Sequence, residues 1–479
     1  MIKGIDSDQI KLVKKEITLD RGPSPDDGPD NGPVDGDAPL GQVSGTKVLV
    51  LHPCHKTRPS VRLRPPSSQR TPQARLEEAV SLCHALHMNV VQSLIVRLSK
   101  LTPATYIGKG KLLEMADIIS LKNIELVILD CELTPGQQRN IERLLKVKVI
   151  DRTGLILEIF GERAQTKEGV LQVELAHLTY EKSRLVRSWT HLERQRGGFG
   201  FLGGPGESQI ESDRRQIGER ITRIGKQLDD VSRTRALHRS GRKKNQIPVV
   251  AMVGYTNAGK STLFNYLTDA DVLAENMLFA TLDPTMREIN LVPGKKAILS
   301  DTVGFISALP IQLVAAFKAT LEEVMEADLI LHVRDISHPD TEAQKEDVMA
   351  VLLSLGLEEG ADCPIYEVWS KIDLLDDEQR QVFENLAALK QNVSLLSAVT
   401  GEGCDDFRSA LNDMLAKGDE ILKIAYAHDQ GAAMAWMYKH GEVIGREDTE
   451  RETILKARID AKLRGRIEKN PTLIGRIVD

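Results

Sequence analysis

From residue 47 the apolar positions follow two alternating rhythms. Four short runs rich in Val, Ile and Leu read as buried strands: "KVLVL" from Lys47, "MNVVQSLIV" from Met88, "IELVILD" from Ile124 and "VKVID" from Val147. Between them lie stretches with helical spacing. Residues 73–87 place Leu76, Ala79, Val80, Leu82, Cys83 and Leu86 on one face, and "KGKLLEMADIISL" from Lys109 and "TPGQQRNIERLLK" from Thr134 behave alike. Pro135 suits a first helical turn, where its missing N–H costs nothing. Strands that alternate with helices predict a small parallel sheet over 47–151.

The rhythm then changes. Residues 152–245 read as mostly helical. From Gln209 to Arg239, Ile210, Ile217, Ile221, Ile224, Leu228 and Val231 recur at steps of three, four or seven residues. That suits one face of a long helix able to form a coiled-coil pair with 165–188. The glycine-rich stretch "RQRGGFGFLGGPGESQI" at 194–210 interrupts it, with a helix start expected near Ser208, and "HRSGRKKNQ" at 238–246 reads as a basic linker. "IPVVAMVG" from Ile247 opens a second α/β pattern, and the tail after 418 reads as strand, helix, strand, strand. The expected layout is an extension at 1–46 with an acidic, disordered Gly/Pro/Asp tract, an α/β subdomain at 47–151, and a helical subdomain at 152–245. A nucleotide-binding α/β domain at 246–418 and a small α+β unit at 419–479 complete it.

Composition narrows the class. A net charge of −6 over 479 residues excludes bulk electrostatic binding to nucleic acid, so any such contact needs a local patch. The five cysteines are scattered with no C-x-x-C pair, which argues against a disulfide frame or zinc site and predicts a reducing, cytoplasmic setting. The chain shows no apolar run of membrane-spanning length, and the N-terminus no secretory h-region. Nothing in the sequence fixes oligomeric state; a monomer is the expectation.

The chemistry concentrates in "VVAMVGYTNAGKST". Here Gly254-x-x-x-x-Gly259-Lys260-Ser261 follows a strand and precedes a helix, the context a phosphate loop requires. Gly254, Tyr255, Thr256, Asn257, Ala258, Gly259, Lys260, Ser261 and Thr262 are the candidate phosphate cradle, with Lys260 for the terminal phosphates and Ser261 for Mg²⁺. "LFATLDPT" supplies Phe279, Ala280, Thr281, Leu282 and Asp283; Thr281 is the candidate second Mg²⁺ ligand, with Thr285 as its rival. "KKAILSDTVG" ends a strand on Asp301, followed by Thr302, Val303 and Gly304, whose N–H can reach a γ-phosphate. "YEVWSKIDLL" offers Ser370, Lys371, Ile372 and Asp373. The Asp373 carboxylate can accept both guanine N1–H and N2–H, a donor pair that adenine lacks. Ser397, Ala398 and Val399 close the set by presenting backbone to guanine O6. Together these residues predict a GTPase of the translation-factor-related class.

The spellings GYTNAGKST, FATLDPT and DTVGFI resemble the HflX family. So do "PATYIGKGK", "DRTGLILEIFGERAQTKEGVLQVELA" and "RGGFGFLGGPGESQIESDRRQI", which carries the resemblance over roughly 47–418. The resemblance implies a cytoplasmic GTPase that associates with the large ribosomal subunit and splits or rescues ribosomes under stress. Two departures from common GTPase patterns stand out. The guanine motif begins with Ser370, where Asn or Thr is usual; serine keeps a hydroxyl but loses reach, so intact specificity and weaker affinity are expected. Phe305 stands where many GTPases place a water-orienting glutamine, so no catalytic side chain is assigned, and slow turnover without a partner is expected. Asn257 has two readings: a potassium ligand beside the phosphates, as in related GTPases, or a residue that suits the loop's dihedral angles.

Lys182, Arg184, Arg187, Arg194, Arg196, Arg214, Arg215, Arg220, Arg223, Arg233, Arg235, Arg239, Arg242, Lys243 and Lys244 make 182–244 a local basic excess. It reads either as an RNA-facing surface or as a solvated helical face with pairs such as Glu211–Arg215, and the family resemblance favours RNA. Arg194, Arg196, Phe199, Phe201, Arg214 and Arg215 are the RNA-contact candidates. The glycine stretch lacks a following Lys-Ser/Thr and so reads as a partner contact rather than a second phosphate loop. The rival function is a GTP-regulated enzyme or RNA-binding factor that acts through 47–151. The histidines there, His52, His55, His84 and His87, have no ligand partners at metal spacing.

Overall fold

The computed structural model describes residues 45–55, 70–189, 205–245, 247–268, 278–279, 285–292, 295–307, 318–357, 363–390, 392–416, 420–449, 451–459, 463–464, 467 and 475–478. The extension at 1–44, the stretch 190–204 and the segment 280–284 therefore lie outside it.

The first sheet has four parallel strands, β1 (Lys47–His55), β2 (Asn89–Leu98), β3 (Leu126–Leu129) and β4 (Lys148–Asp151), in the order β2-β1-β3-β4. The connecting helices are α1 (Pro72–Ala85), α2 (Lys109–Lys122) and α3 (Pro135–Leu145). Their starts are written in the sequence. Thr71 Oγ1 accepts the Ala74 N–H at 3.1 Å. Thr134 and Gln137 form a reciprocal capping box around Pro135. Strand β3 is buried at every position, as a central parallel strand between two helical layers should be. Its core joins Leu49, Leu51, Val127 and Leu129 to Leu112, Met115 and Ile141 from the helices.

Strand β4 runs straight into α4 (Arg152–Arg163), with Asp151 Oδ1 accepting the Gly154 N–H at 2.8 Å. Next come α5 (Lys167–Trp189) and α6 (Pro205–Asn245), which pack against each other as an antiparallel hairpin. Its register is fixed by Arg220 on Glu174 at 2.6 Å and Arg235 on Glu168 at 2.5 Å, with Ile224 fully buried between the helices. Two expectations change here. The helix begins at Pro205 rather than near Ser208, with proline filling a first-turn position. The supposed linker at 238–246 is helical as far as Asn245, because Arg and Lys are good helix formers and Gly241 alone does not stop a long helix.

The second sheet has six strands in the order β10-β9-β8-β5-β7-β6. They are β5 (Val249–Gly254), β6 (Thr285–Val292), β7 (Lys295–Asp301), β8 (Leu329–Asp335), β9 (Ile365–Ser370) and β10 (Val393–Leu395). All pairings are parallel except β6 with β7. Its helices are α7 (Lys260–Thr268), α8 (Lys318–Met325), α9 (Thr341–Ser354), α10 (Asp377–Ala388) and α11 (Cys404–Leu415). The core gathers Val250, Met252, Leu331, Val333 and Val368 under Leu263, Phe264, Phe407 and Leu411.

The tail forms a third, antiparallel sheet of β11 (Glu420–Ala427), β12 (Glu442–Asp448), β13 (Glu452–Ile459) and β14 (Arg476–Val478), in the order β12-β13-β11-β14. Helix α12 (Gly431–His440) covers it through Ala433 and Met437. Glu442 fastens this sheet to the second one. It pairs with Lys295 at 3.4 Å and accepts the Asn412 amide at 2.9 Å. No helix among the described residues is long and apolar enough to cross a membrane.

Candidate nucleotide site

Ligand sites of open parallel sheets lie at the carboxyl ends of the strands, and the predicted motifs converge there. β5 ends on Gly254, the loop 255–259 turns, and α7 starts on Lys260. Gly254 cannot carry a side chain: a Cβ there would sit 2.2 Å from the Val333 carbonyl on β8. Asn257 and Gly259 adopt left-handed φ values of 60° and 90°, which bend the loop. The Asn257 conformation is what its dihedral reading requires. Lys260 is buried, and Nζ donates to the carbonyls of Tyr255 at 2.8 Å and Gly254 at 3.2 Å. Burial pushes its pKa down to about 8, against the pull of Asp301.

Ser261 Oγ donates to Asp301 Oδ2 at 2.8 Å. A hydroxyl and a carboxylate held together at the strand end form the hard oxygen set that Mg²⁺ prefers. The segment after Asp301 lies hard against the phosphate loop. Thr256 N–H donates to the Phe305 carbonyl at 2.8 Å, and Phe305 N–H donates to the Gly254 carbonyl at 3.1 Å. A Cβ on Gly304 would meet Thr256 Cγ2 at 2.8 Å and Lys260 Nζ at 3.2 Å, so only glycine allows this approach. Phe305 is buried.

On the guanine side, Ser370 ends β9 with Oγ 2.7 Å from the Ala258 carbonyl and 2.9 Å from the Arg334 carbonyl. The expected loss of reach is therefore corrected on the loop side: serine braces the phosphate loop itself, because the loop's backbone comes within hydroxyl range. Lys371 takes a left-handed φ of 62°, and its Nζ pairs with Asp335 at 2.7 Å. Asp373 is exposed on the single turn Ile372–Leu374. The Ser397 N–H donates to the Glu402 carbonyl at 2.9 Å, and Ala398 is half-buried beside it. Thr302 and Val303 are buried, Thr262 is half-buried, and Val399 is exposed. Phe279 is buried edge-on against Phe160 of α4, with centroids 4.7 Å apart. Ala280, Thr281, Leu282 and Asp283 lie outside the described residues. Thr285 is a ladder residue opposite Asp301.

Sequence reasoning placed Tyr255 in the cradle, and the structure corrects its side chain. The ring turns away from the loop's mouth toward the first sheet, where its hydroxyl donates to Glu78 and accepts from Arg70 at 2.6 Å and from the Ser307 N–H at 2.8 Å. Glu78 on α1 also pairs with Arg152 and, at 2.7 Å, with Arg70. Burial would raise the Glu78 carboxyl, but Arg152 and Arg70 outweigh it and hold the group below its ordinary value. A large residue in a loop of small ones was the only signal for this joint. His52 belongs to the same cluster, with Nδ1 2.7 Å from Asp130, whereas His84 and His87 are exposed.

Of the RNA-contact candidates, Arg194, Arg196, Phe199 and Phe201 lie outside the described residues. Arg214 and Arg215 are exposed on α6, where Arg215 pairs with Glu219 at 3.9 Å. Arg220 and Arg235 fix the hairpin, and Arg184 binds Asp151 at 2.7 Å, so these three serve internal ion pairs.

Comparison with known proteins agrees along the chain. Residues 73–161 and 163–242 match the families described as GTP-binding GTPase N-terminal and GTP-binding GTPase Middle Region. Residues 249–371 match 50S ribosome-binding GTPase, and 382–470 match HflX C-terminal domain. A GTPase HflX of Magnetococcus marinus is 48% identical over 406 residues, covering 85% of this chain and 93% of the relative. A GTPase HflX of Escherichia coli is 45% identical over 341 residues, or 71% and 79% of the two chains. A GTP-binding protein of Sulfolobus solfataricus, solved with GDP, aligns over 78% of this chain and 99% of its own at 24% identity, with a TM-score of 0.41.

Proposed function

The chain belongs to the HflX family of GTPases, and from that premise we propose that it hydrolyses GTP as a cytoplasmic factor on the large ribosomal subunit, separating or rescuing ribosomes under stress. The observation that carries the reading is a complete phosphate loop in a segment that matches 50S ribosome-binding GTPase. Lys260 meets the terminal phosphates, the Gly304 N–H meets the γ-phosphate, and Asp373 selects guanine. Ser261 and Thr281 would hold Mg²⁺, and Asp301 would orient the Ser261 hydroxyl that accepts it. When bound, the ion neutralises charge developing on the phosphate oxygens.

Phe305 cannot hold a water, so the isolated protein turns over slowly and the partner completes the site. Asn257, exposed on the loop, is the place for a potassium ion; equal turnover in K⁺ and Na⁺ would remove that part of the reading. The hairpin of α5 and α6, together with the stretch 190–204 that joins them in sequence, carries the ribosomal RNA contact through Arg194, Arg196, Phe199, Phe201, Arg214 and Arg215.

Co-sedimentation with purified subunits tests this directly. Binding to large subunits with a non-hydrolysable GTP analogue is expected, and failure with both the analogue and GDP would overturn it. Deleting 198–205 should weaken subunit binding and stimulated turnover while GTP affinity stays nearly unchanged.

A further inference from the structure

We propose that the adjacent residues Asp151 and Arg152 form a relay that couples the helical hairpin to the segment 301–307 beside the phosphate loop. The proposal rests on the reading that the hairpin faces the ribosome. It adds the route by which contact there reaches the GTP site.

Beyond the first subdomain, the two residues reach different neighbours: Asp151 holds helix α5, and Arg152 holds Ser307. Asp151 is fully buried. Its Oδ1 accepts the Gly154 N–H at 2.8 Å and the Tyr180 hydroxyl at 2.7 Å. Its Oδ2 accepts the Leu133 N–H at 3.1 Å and Arg184 at 2.7 Å. Tyr180 and Arg184 both belong to α5, and the guanidinium lies 4.1 Å over the Tyr180 ring. The hairpin is thus strapped to the end of β4 through a carboxylate with both oxygens engaged.

Arg152 faces the other way. Nη1 donates to Asp130 at 2.5 Å, and Nη2 donates to Glu78 and, at 3.1 Å each, to the carbonyl and Oγ of Ser307. Ser307 Oγ also donates to Glu78 at 2.9 Å, and Ser307 N–H donates to Tyr255. Every polar group of Ser307, backbone and side chain, is therefore held by this cluster. Ser307 follows Gly304 within one short stretch, so a shift that brings the Gly304 N–H to a γ-phosphate must move Ser307 or be resisted through it.

The junction has little slack. Consecutive Cα atoms are about 3.8 Å apart whatever the side chains do. A Cβ on Gly154 would already meet Ile150 at 3.0 Å and the Tyr180 hydroxyl at 3.2 Å. Phe160, further along α4, supports Phe279 on the other flank of the nucleotide site. Rotation of α5 about Asp151 therefore reaches both flanks through a single helix. Coupling of this kind is reciprocal: the hairpin's partner biases the GTP site, and the nucleotide biases the hairpin. Asp151, Arg152, Glu78 and Ser307 are positioning residues, since none touches the phosphates.

The test uses full-length Arg152→Lys, which keeps the charge but loses the fork, and Tyr180→Phe, which removes one hydroxyl on the hairpin side. With the wild type stimulated by large subunits, each variant should lose about tenfold in stimulated turnover and in the preference of subunit binding for GTP analogue over GDP. Affinity for GTP without subunits should stay within about twofold. The double variant should be no worse than the worse single one, since one pathway is cut twice. A Tyr180 change has no route to a GTP readout if it is merely structural, so normal stimulation in Tyr180→Phe overturns the relay even if Arg152→Lys fails to fold. If the wild type itself is not stimulated, the ribosomal reading falls. If the wild type is stimulated and both variants keep it, that reading stands and only the relay falls.

Discussion

Two sheets of this molecule, one parallel and one mostly parallel, present the carboxyl ends of their parallel strands, and they use them in opposite ways. At the six-stranded sheet, the strand ends lead into glycines and small residues. Lys260 there donates to backbone carbonyls and Ser261 donates to Asp301, the ammonium, hydroxyl and carboxylate that phosphate and Mg²⁺ recognition calls on. At the four-stranded sheet, His52 on β1 and Arg152 pair with Asp130 just past the end of β3, Arg152 also donates to Ser307, and Asp151 at the end of β4 is held by Tyr180 and Arg184 of α5. Charged residues at a strand end are therefore not in themselves a ligand site. What matters is whether their hydrogen-bonding capacity is already spent. The first edge is built to bind nucleotide, and the second to bind the first.

The comparison breaks most sharply at Glu78. It compensates two buried guanidinium groups, so Glu78→Ala leaves Arg70 and Arg152 short of a counter-charge. Truncating one member of such a buried ionic cluster costs about 3–5 kcal/mol. Denaturant unfolding should show that loss, with Glu78→Gln milder because it keeps the volume and one acceptor oxygen. A loss no larger than that of an exposed ion pair, under about 1 kcal/mol, would mean that the second edge is not a joint.

At the nucleotide edge, the corresponding change should act on ligand binding and leave the fold alone. Asp373 is exposed, so Asp373→Ala should leave the unfolding midpoint in place. It removes two hydrogen bonds to a charged acceptor, worth about 1.5 kcal/mol or more each, so GTP affinity should fall about a hundredfold. Discrimination against ATP should narrow as well. Titration with a fluorescent GTP analogue, competed by ATP, measures both. An unfolding midpoint that drops together with affinity would erase the contrast between the edges.

These edges were not equally legible in the sequence. The nucleotide edge could be read because phosphate recognition imposes local spacing: Gly254, Gly259, Lys260 and Ser261 fall within one turn of chain. The alternating sheet pattern at 47–151 was equally local, and so was the capping box at Thr134. The joint was hidden because its members are drawn from seven separate places in the chain, His52, Arg70, Glu78, Asp130, Arg152, Tyr255 and Ser307, with no shared spacing. The basic stretch 182–244 misled in part, since charge counted along a chain cannot tell Arg220, paired with Glu174, from exposed Arg214. The basic linker failed similarly: Arg and Lys suit a helix as well as a coil.

Ser370 sharpens the comparison at its finest scale, because it lies at the nucleotide edge yet works as the joint does, by bracing backbone. Its hydroxyl has one proton to share between the carbonyls of Ala258 and Arg334, both close enough to accept it. Ser370→Ala takes that donor from a buried position, at a cost of about 1–2 kcal/mol. Part of the cost should appear in ligand binding, because Ala258 belongs to the phosphate loop and a looser loop must be ordered when GTP binds. GTP affinity should fall about fivefold, well short of the Asp373 effect, and the ratio of GTP to ATP affinity should hold, since the hydroxyl braces the loop rather than reading the base. If that ratio shifts as it does in Asp373→Ala, Ser370 reads the base and the division between bracing and reading fails. If affinity is unchanged, the loop is held by Gly254, Gly304 and the Thr256–Phe305 backbone pair alone, and the serine contributes only to the folded sheet.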